Sequence, residues 1–109
     1  MIAYTTIGST CVEVSRVCLG TCFRSGLTTA GCRAVIDEAI EQGINFIDCA
    51  NMYHGGGAET AVGEAIRGRR DQFVITSKVG ADRNADRRRE GLATATIYRG
   101  IEATLSRLG

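Results

Sequence analysis

The chain has 109 residues, of which 44% are hydrophobic and 23% are charged, values that are typical of a single small globular domain. Its net charge of +1 gives no electrostatic reason to expect nucleic acid or an anionic membrane as a partner. No apolar stretch approaches the roughly 18 residues that a membrane-spanning helix needs, and the N-terminus lacks a signal-peptide pattern. We therefore expect a cytoplasmic protein.

Five cysteines and one histidine are present in the sequence. The cysteine count is odd and no Cys-x-x-Cys pair occurs, so we expect neither a disulfide framework nor a metal site. Free cysteines that are mostly buried suit the reducing compartment that this location implies.

The opening of the chain predicts a β-hairpin, with strands at residues 2–6 and 11–14 and a turn at Gly8 and Ser9. Apolar runs then alternate with amphipathic segments. We expect strands at residues 15–20, 44–47 and 72–78, and helices at residues 28–42, 58–67 and 96–108. The apolar sides of the helices are Cys32, Val35, Ile36, Ala39 and Ile40; Ala58, Val62, Ala65 and Ile66; and Ile97, Ile101, Thr104, Leu105 and Leu108.

The predicted strands start near residues 16, 44 and 73, at nearly equal spacing. Such spacing favours right-handed strand–helix–strand units and a parallel sheet. Helices should cover one face, and the other face should also be buried because the runs are apolar at successive positions. A barrel of eight such units takes about 250 residues. The predicted fold class is therefore α/β, the N-terminal part of a TIM (β/α)8 barrel, with about three β/α units preceded by a β-hairpin. Residues 1–109 are expected to form a partial domain that ends before the fourth barrel strand.

Ligands of parallel α/β folds bind outside the carboxyl ends of the strands. The residues at those ends are Gly20, Thr21 and Cys22, then Asp48, then Lys78. Neighbouring strands lie about 4.8 Å apart, so Asp48 and Lys78 are expected to pair, each offsetting the desolvation of the other. This pair has two interpretations, a structural ion pair that closes a strand end or part of a catalytic site.

Tyr53 favours the catalytic interpretation, because it follows Asp48 on the loop over the same strand ends. Glycines at 55, 56 and 57 let this loop turn closely. A tyrosine hydroxyl, with an ordinary pKa of about 10, is a poor acid at neutral pH. A neighbouring lysine ammonium stabilises the phenolate and lowers that pKa. Asp48, Lys78 and Tyr53 are therefore predicted to form a proton-donating relay, with Tyr53 as the acid and Asp48 keeping the lysine charged and oriented.

The stretch INFIDCANMYHGGGAETAVGEAIRGRRDQFVITSKVG resembles the aldo-keto reductase family, whose pattern runs D-[TC]-A-x-x-Y, then glycine, glutamate and a strand that ends in [TS]-K. The opening IGSTCVEVSRVCLGT resembles the N-terminal hairpin and first strand of that family, and GLATATIYRGIEATLSRLG is similar to its third helix. The resemblance covers essentially the whole chain in order.

This resemblance implies a barrel that reduces aldehydes or ketones to alcohols with hydride from a nicotinamide cofactor, NADPH or alternatively NADH. The catalytic residues that it implies are Asp48, Tyr53 and Lys78. The cofactor-binding residues that it implies are Gly20, Thr21, Cys22 and Asp48. The family's fourth catalytic residue is a histidine at the end of the fourth strand, and His54 does not stand at that position.

Two alternatives to an active reductase remain from the sequence. One is a non-catalytic relative that acts as a binding or regulatory subunit, and the other is a truncated, inactive fragment. The charged segment at residues 82–91 is expected to be a solvated loop, with contact to substrate or a cofactor phosphate as the alternative. The expected partner is a small-molecule carbonyl compound, and the oligomeric state stays open. The exposed edges of a three-stranded sheet predict self-association.

Overall fold

The computed structural model describes residues 1–23, 28–81 and 89–109. Its elements in chain order are β1 (Tyr4–Thr6), β2 (Glu13–Ser15), β3 (Cys18–Gly20), α1 (Thr29–Glu41), β4 (Phe46–Asp48), α2 (Gly57–Ala65), β5 (Val74–Thr76) and α3 (Thr94–Leu108). Short 3₁₀ helices at Tyr53–Gly56 and Arg70–Gln72 precede α2 and β5. The predicted order of strands and helices is confirmed. Within the described residues, no helix is both long enough and apolar enough to cross a membrane.

The first two strands form the predicted antiparallel hairpin, with Tyr4 opposite Ser15. Asn45, at the start of β4, holds this hairpin in place. Its side-chain oxygen accepts a hydrogen bond of 2.6 Å from the Ser15 amide, and its side-chain nitrogen donates one of 3.1 Å to the Glu13 carbonyl. The hairpin is therefore fixed at the amino end of the sheet, away from the carboxyl ends of the strands.

The strands β3, β4 and β5 form a parallel sheet in that order. Its three rows of paired residues are Cys18, Phe46 and Val74; Leu19, Ile47 and Ile75; and Gly20, Asp48 and Thr76. This arrangement confirms the predicted parallel sheet. It also brings the carboxyl ends of the three strands to one edge, where Asp48 lies between Gly20 and Thr76.

The two faces of this sheet differ in burial. Ile47 is fully buried in the core, in a cluster with residues from all three helices such as Ile36, Val62 and Leu108. On the other face, Cys18 is exposed and Phe46 is only half-buried. The prediction that both faces are buried is therefore wrong for this chain, because the helices pack against the row that contains Ile47.

The helix α2 buries the side that the sequence predicts, but α1 buries only part of its predicted side, because Val35 is 38% exposed and Ile40 is half-buried. The helix α1 begins after Thr28, whose hydroxyl accepts a hydrogen bond of 3.1 Å from the Gly31 amide, as an N-cap residue does. It ends before Gly43, whose φ of 89° is readily accessible only to glycine. The buried residues of the two predicted sides are Cys32, Ile36, Ala39, Ala58, Val62, Ala65 and Ile66.

The apolar side predicted for α3 is only partly buried. Thr104 and Leu108 lie in the core, whereas Ile97, Ile101 and Leu105 are 40%, 50% and 60% exposed. The helix turns its threonine side inward because the Thr104 hydroxyl donates a hydrogen bond to a buried carboxylate on α2. The three larger apolar residues consequently form an exposed row along α3.

The five cysteines are free. Cys32 and Cys49 are buried, but Cys11, Cys18 and Cys22 are exposed, so the prediction of mostly buried cysteines is wrong. Exposure follows from position, since Cys18 lies on the open face of the sheet and Cys22 on the loop after β3.

Across the described ranges, no group of three or more histidine, cysteine or acidic side chains could hold a metal ion.

The charged segment predicted as a loop lies mostly outside the described residues, which omit 82–88. Of the remainder, Arg89 is exposed and Glu90 is half-buried. The prediction of a solvated loop therefore stays a prediction.

Candidate active site

Asp48 is the last residue of β4, and both oxygens of its carboxylate accept hydrogen bonds from the neighbouring strand. Thr76 Oγ1 donates to Oδ1 at 2.8 Å, and Lys78 Nζ donates to Oδ2 at 2.6 Å. The expected pairing of Asp48 with Lys78 is therefore present in the structure. The Asp48 side chain is 34% exposed, so the ion pair lies at the surface of the strand ends rather than in the core.

Lys78 is the only lysine of the chain, and its ammonium has three hydrogen-bond acceptors among the described residues. They are Asp48 Oδ2, the Cys49 carbonyl oxygen at 2.8 Å and the Tyr53 hydroxyl at 3.5 Å. Partial burial lowers the pKa of Lys78, but the hydrogen bonds and charges of Asp48 and Tyr53 outweigh burial, so this pKa is raised above its ordinary value of 10.5. The ammonium is therefore held in its charged form.

Tyr53 lies at the start of the 3₁₀ helix that precedes α2, where its amide donates to the Ala50 carbonyl at 3.1 Å. Lys78 Nζ lies 3.5 Å from its hydroxyl and 5.1 Å from the centroid of its ring. At that distance the ammonium also makes a cation–π contact with the ring. The structure thus brings the three predicted catalytic side chains together around one cation, with Tyr53 half-buried beside it.

The loop that carries Tyr53 turns through left-handed backbone conformations. His54, Gly55 and Gly56 have φ values of 51°, 59° and 93°. At Gly56 an added Cβ would also lie 3.0 Å from Arg107 Nε, so this position requires glycine for two reasons. His54 Nε2 hydrogen-bonds to the Phe23 carbonyl oxygen, which joins the loop to the segment after β3.

The residues predicted to bind the cofactor lie beside Asp48, but they differ in accessibility. Thr21 is fully buried, and its amide and hydroxyl both donate to the Asp48 carbonyl oxygen, at 3.0 and 2.9 Å. Gly20 and Cys22 are exposed, and a Cβ added at Gly20 would meet no atom within 4 Å. Gly20, the register partner of Asp48, therefore leaves accessible surface beside it, while Thr21 joins the ends of β3 and β4.

Cys49 follows Asp48 and is fully buried. Burial raises the pKa of its thiol, a hydrogen bond of 3.3 Å with the Thr21 hydroxyl lowers it, the charges of Glu59 and Asp48 raise it and that of Lys78 lowers it, which together give a pKa of about 11. Burial, together with the charge of Asp48, also raises the pKa of Cys18, against the effect of Lys78. Both thiols are therefore neutral near pH 7.

Thr76 is a site residue that sequence reasoning missed. It lies two positions before Lys78 on β5, and residues at that spacing in a strand point to the same face. It is also the register partner of Asp48. Strand periodicity and the equal spacing of the strands were the available signals.

Glu59 was missed as well, although it is the most deeply buried charged residue that the structure describes, with no exposed surface. The signal was a carboxylate within the predicted apolar side of α2, between Ala58 and Val62. No local sequence pattern identifies its partners, since Ser77 follows β5 and Thr104 and Arg107 lie on α3.

The parallel β/α units, with a charged cluster at the carboxyl ends of their strands, define an α/β protein whose candidate site lies at that edge of the sheet. The profile of the aldo/keto reductase family matches residues 16–109. The chain is 35% identical over 112 residues to the aldo-keto reductase YhdN of Bacillus subtilis, an alignment that covers 96% of this chain and 34% of that protein. It is 35% identical over 119 residues to the uncharacterized oxidoreductase YrpG of the same organism, covering 96% of this chain and 36% of that protein.

Among solved structures, the chain is similar to the aldo-keto reductase AKR11C1 of Bacillus halodurans in its holo form. The TM-score is 0.82 at 30% identity, and the match covers 99% of this chain and 37% of that one. This chain belongs to the aldo/keto reductase family. The predicted fold class, the N-terminal part of a TIM barrel, is confirmed by these structural neighbours. The chain spans about a third of the length of the relatives described above.

Proposed function

We propose that this chain carries Asp48, Tyr53 and Lys78 as the catalytic residues of an NADPH-dependent oxidoreductase that reduces aldehydes or ketones to alcohols. One observation carries the proposal: the Lys78 ammonium contacts the Asp48 carboxylate at 2.6 Å and the Tyr53 hydroxyl at 3.5 Å. Family membership supports the reaction class. We also propose that residues 1–109 form a partial aldo-keto reductase domain that ends before the fourth barrel strand.

In this mechanism Tyr53 is the general acid. Its O–H bond breaks as the proton passes to the carbonyl oxygen of the substrate, where the new O–H bond of the alcohol forms. A nicotinamide cofactor, when bound, supplies the hydride that adds to the carbonyl carbon. The phenolate left on Tyr53 is stabilised by the adjacent Lys78 ammonium. Asp48 keeps that ammonium charged and oriented, and Thr76 fixes the other oxygen of Asp48.

The residues that would hold the cofactor are Gly20, Thr21, Cys22 and Asp48. The accessible surface of Gly20 and Cys22 supports this assignment, while Thr21 is buried and contacts the backbone of Asp48. The choice of NADPH follows the family resemblance, with NADH as the alternative. The substrate is a small carbonyl compound, since the acid group lies at an open strand end rather than in a macromolecular groove.

A second candidate is a non-catalytic or inactive relative that serves as a binding or regulatory subunit. The specific observation in its favour is the exposure of the site, because the Lys78 side chain is 49% accessible to solvent. Carbonyl reductases depend on excluding water from charged groups near the reacting atoms. A site this open favours binding over turnover.

Two measurements on the purified chain decide between these candidates. Titration with NADPH, followed by nicotinamide fluorescence, should show binding; oxidation of NADPH by a panel of aldehydes should then show turnover. Tyr53→Phe should retain binding and lose turnover by roughly 10²–10⁴-fold, the usual contribution of a general acid. Tyr98→Phe is the matched control, because Tyr98 is 65% exposed on α3.

Binding without turnover would favour the regulatory candidate. No binding at millimolar NADPH would reject the proposed function for this chain. Turnover that survives in Tyr53→Phe would reject Tyr53 as the acid.

A further inference from the structure

Glu59 has no part in the relay, yet its carboxylate is fully buried and fully paired. Its Oε1 accepts hydrogen bonds from Ser77 Oγ at 2.5 Å and from Thr104 Oγ1 at 2.8 Å. Its Oε2 accepts from Arg107, with both Nε and Nη2 at 2.6 Å. A buried carboxylate needs such partners to remain charged. These partners place Glu59 between α2, β5 and α3.

Two of the connections of Glu59 lead to the relay. Ser77 immediately precedes Lys78, so its hydrogen bond to Glu59 fixes the backbone from which the lysine side chain extends. On the other side, Glu59 lies in the first turn of α2, directly after the 3₁₀ helix that begins with Tyr53. The carboxylate therefore joins the segment that carries the acid to the segment that carries the cation.

Arg107 strengthens this link from α3. Its guanidinium is paired with Glu59, and its side chain lies against Gly56, where a Cβ would come within 3.0 Å of Nε. Gly56 belongs to the loop between Tyr53 and α2, and its φ of 93° fixes the turn. The same arginine thus holds both Glu59 and the loop of Tyr53 in place.

A purely structural ion pair would not need these connections. Buried ion pairs can often be replaced by apolar residues without loss of stability, so burial of Glu59 alone does not account for its place. The contact with Ser77 accounts for the position of Glu59, because the distance between Lys78 and Tyr53 depends on the position of the end of β5 relative to the start of α2. That separation, 3.5 Å between Nζ and the hydroxyl, is the quantity that the relay requires.

We propose that Glu59 is a positioning residue that sets the separation between the Lys78 ammonium and the Tyr53 hydroxyl through its contact with Ser77. The importance of that separation for catalysis rests on the proposed function above.

The chain offers a matched pair of variants to test this. Ser77→Ala and Thr104→Val each remove one hydroxyl that donates to the same oxygen of Glu59, but only Ser77 adjoins Lys78. Because Lys78 is the only lysine, protein labelled with ¹³C-lysine gives a single side-chain NMR signal whose titration reports the pKa of Lys78. This measurement needs neither cofactor nor substrate.

In Ser77→Ala and in Glu59→Gln, the pKa of Lys78 should fall toward its ordinary value of 10.5, because its contacts with Asp48 and Tyr53 loosen. In Thr104→Val the midpoint of thermal unfolding should fall while the pKa of Lys78 stays unchanged. Should Glu59→Gln fail to fold, the comparison of Ser77→Ala with Thr104→Val decides alone.

The proposal is overturned if folded Ser77→Ala titrates Lys78 as the unmodified chain does, or if Thr104→Val shifts this pKa as much as Ser77→Ala. The positioning role of Glu59 is tested independently of the proposed function. Absence of NADPH binding would reject the reductase assignment, while the Lys78 titrations would still test whether Glu59 positions the lysine.

Discussion

Lys78 and Tyr53 contact each other in two ways, since the ammonium lies 3.5 Å from the hydroxyl and 5.1 Å from the ring centroid. Both contacts favour the charged lysine. The first links the cation to the proposed acid, and the second restrains the ring over the strand ends. Asp48 completes the arrangement from the opposite side at 2.6 Å. The charge state of Lys78 is therefore the property of the site that is most directly open to measurement.

We predict that the stabilisation due to Lys78 disappears at alkaline pH. Its pKa is raised above 10.5 in the folded chain by Asp48 and Tyr53, against the effect of partial burial. A group whose pKa is raised on folding contributes stability that is full below the unfolded pKa and is lost as the pH rises through the folded pKa. The difference in unfolding free energy between the unmodified chain and Lys78→Met should therefore narrow above pH 10.5.

Urea unfolding over a pH series measures this difference. Asp48→Asn is the control, because it removes a partner that raises the folded pKa of Lys78; in that background the effect of Lys78→Met on the unfolding free energy should narrow less over the same pH range. A difference that stays constant through the alkaline range would contradict the prediction.

The contact between Asp48 and Lys78 was predictable from sequence. The equal spacing of the strands predicts that Asp48 and Lys78 meet at one edge of the sheet. Ligands of parallel α/β sheets bind at the carboxyl ends of the strands, which is why this edge was expected to hold the functional site. The surroundings of the pair were not predictable in the same way. Glu59 contacts Thr104 and Arg107, which are distant in sequence, so no periodic pattern reveals the contact.

The order of strands and helices was predicted correctly, whereas the burial of the second face of the sheet and of α3 was not. Apolar residues on the second face of the sheet and on α3 indicate that these faces suit burial, but they do not identify what buries them. Phe46 and Ile101 illustrate this, since both are apolar and neither is fully buried in the described structure. Thr96 shows the reverse error, because it lies outside the predicted apolar side of α3 and is nevertheless buried. Its hydroxyl accepts a hydrogen bond from Arg99, and a threonine whose hydroxyl has a partner can take a core position.

We predict that Cys49 reacts more slowly with iodoacetamide than Cys22 does. Cys49 has no exposed surface, and burial raises the pKa of its thiol to about 11, so little thiolate forms at mildly alkaline pH. Cys22 is exposed on the loop after β3. Mass spectrometry of peptides taken at successive times measures both rates in one sample. Equal rates in the native chain would contradict the prediction; equal rates in denaturant are the control that both peptides are detected.

We predict that Gly63→Ala destabilises the chain. A Cβ at Gly63 would lie 2.3 Å from the Arg107 carbonyl oxygen and 3.0 Å from the Leu108 Cα, both of them backbone atoms that cannot rotate away. The helices α2 and α3 would have to separate, and we expect a loss of about 1–3 kcal/mol in unfolding free energy, as for other overpacked sites. Chemical denaturation measures this loss.

The matched control for this substitution is Gly20→Ala, where an added Cβ meets no atom within 4 Å. Its unfolding free energy should remain within the error of the measurement. Equal stability of the two variants would show that α2 and α3 are not in close contact at Gly63.

We predict that the chain self-associates through the exposed row of Ile97, Ile101 and Leu105 on α3. Contiguous exposed apolar side chains of this kind favour association, and these three are 40%, 50% and 60% exposed. The double variant Ile101→Gln with Leu105→Gln should lower the apparent mass at high concentration, because glutamine preserves the helix while removing apolar surface. Light scattering coupled to size-exclusion chromatography measures the mass over a concentration series.

Glu102→Gln is the control, since Glu102 is exposed on the same helix outside the row. If the double variant associates as strongly as the control, the open edges of the sheet at β3 and β5 would be the contact instead.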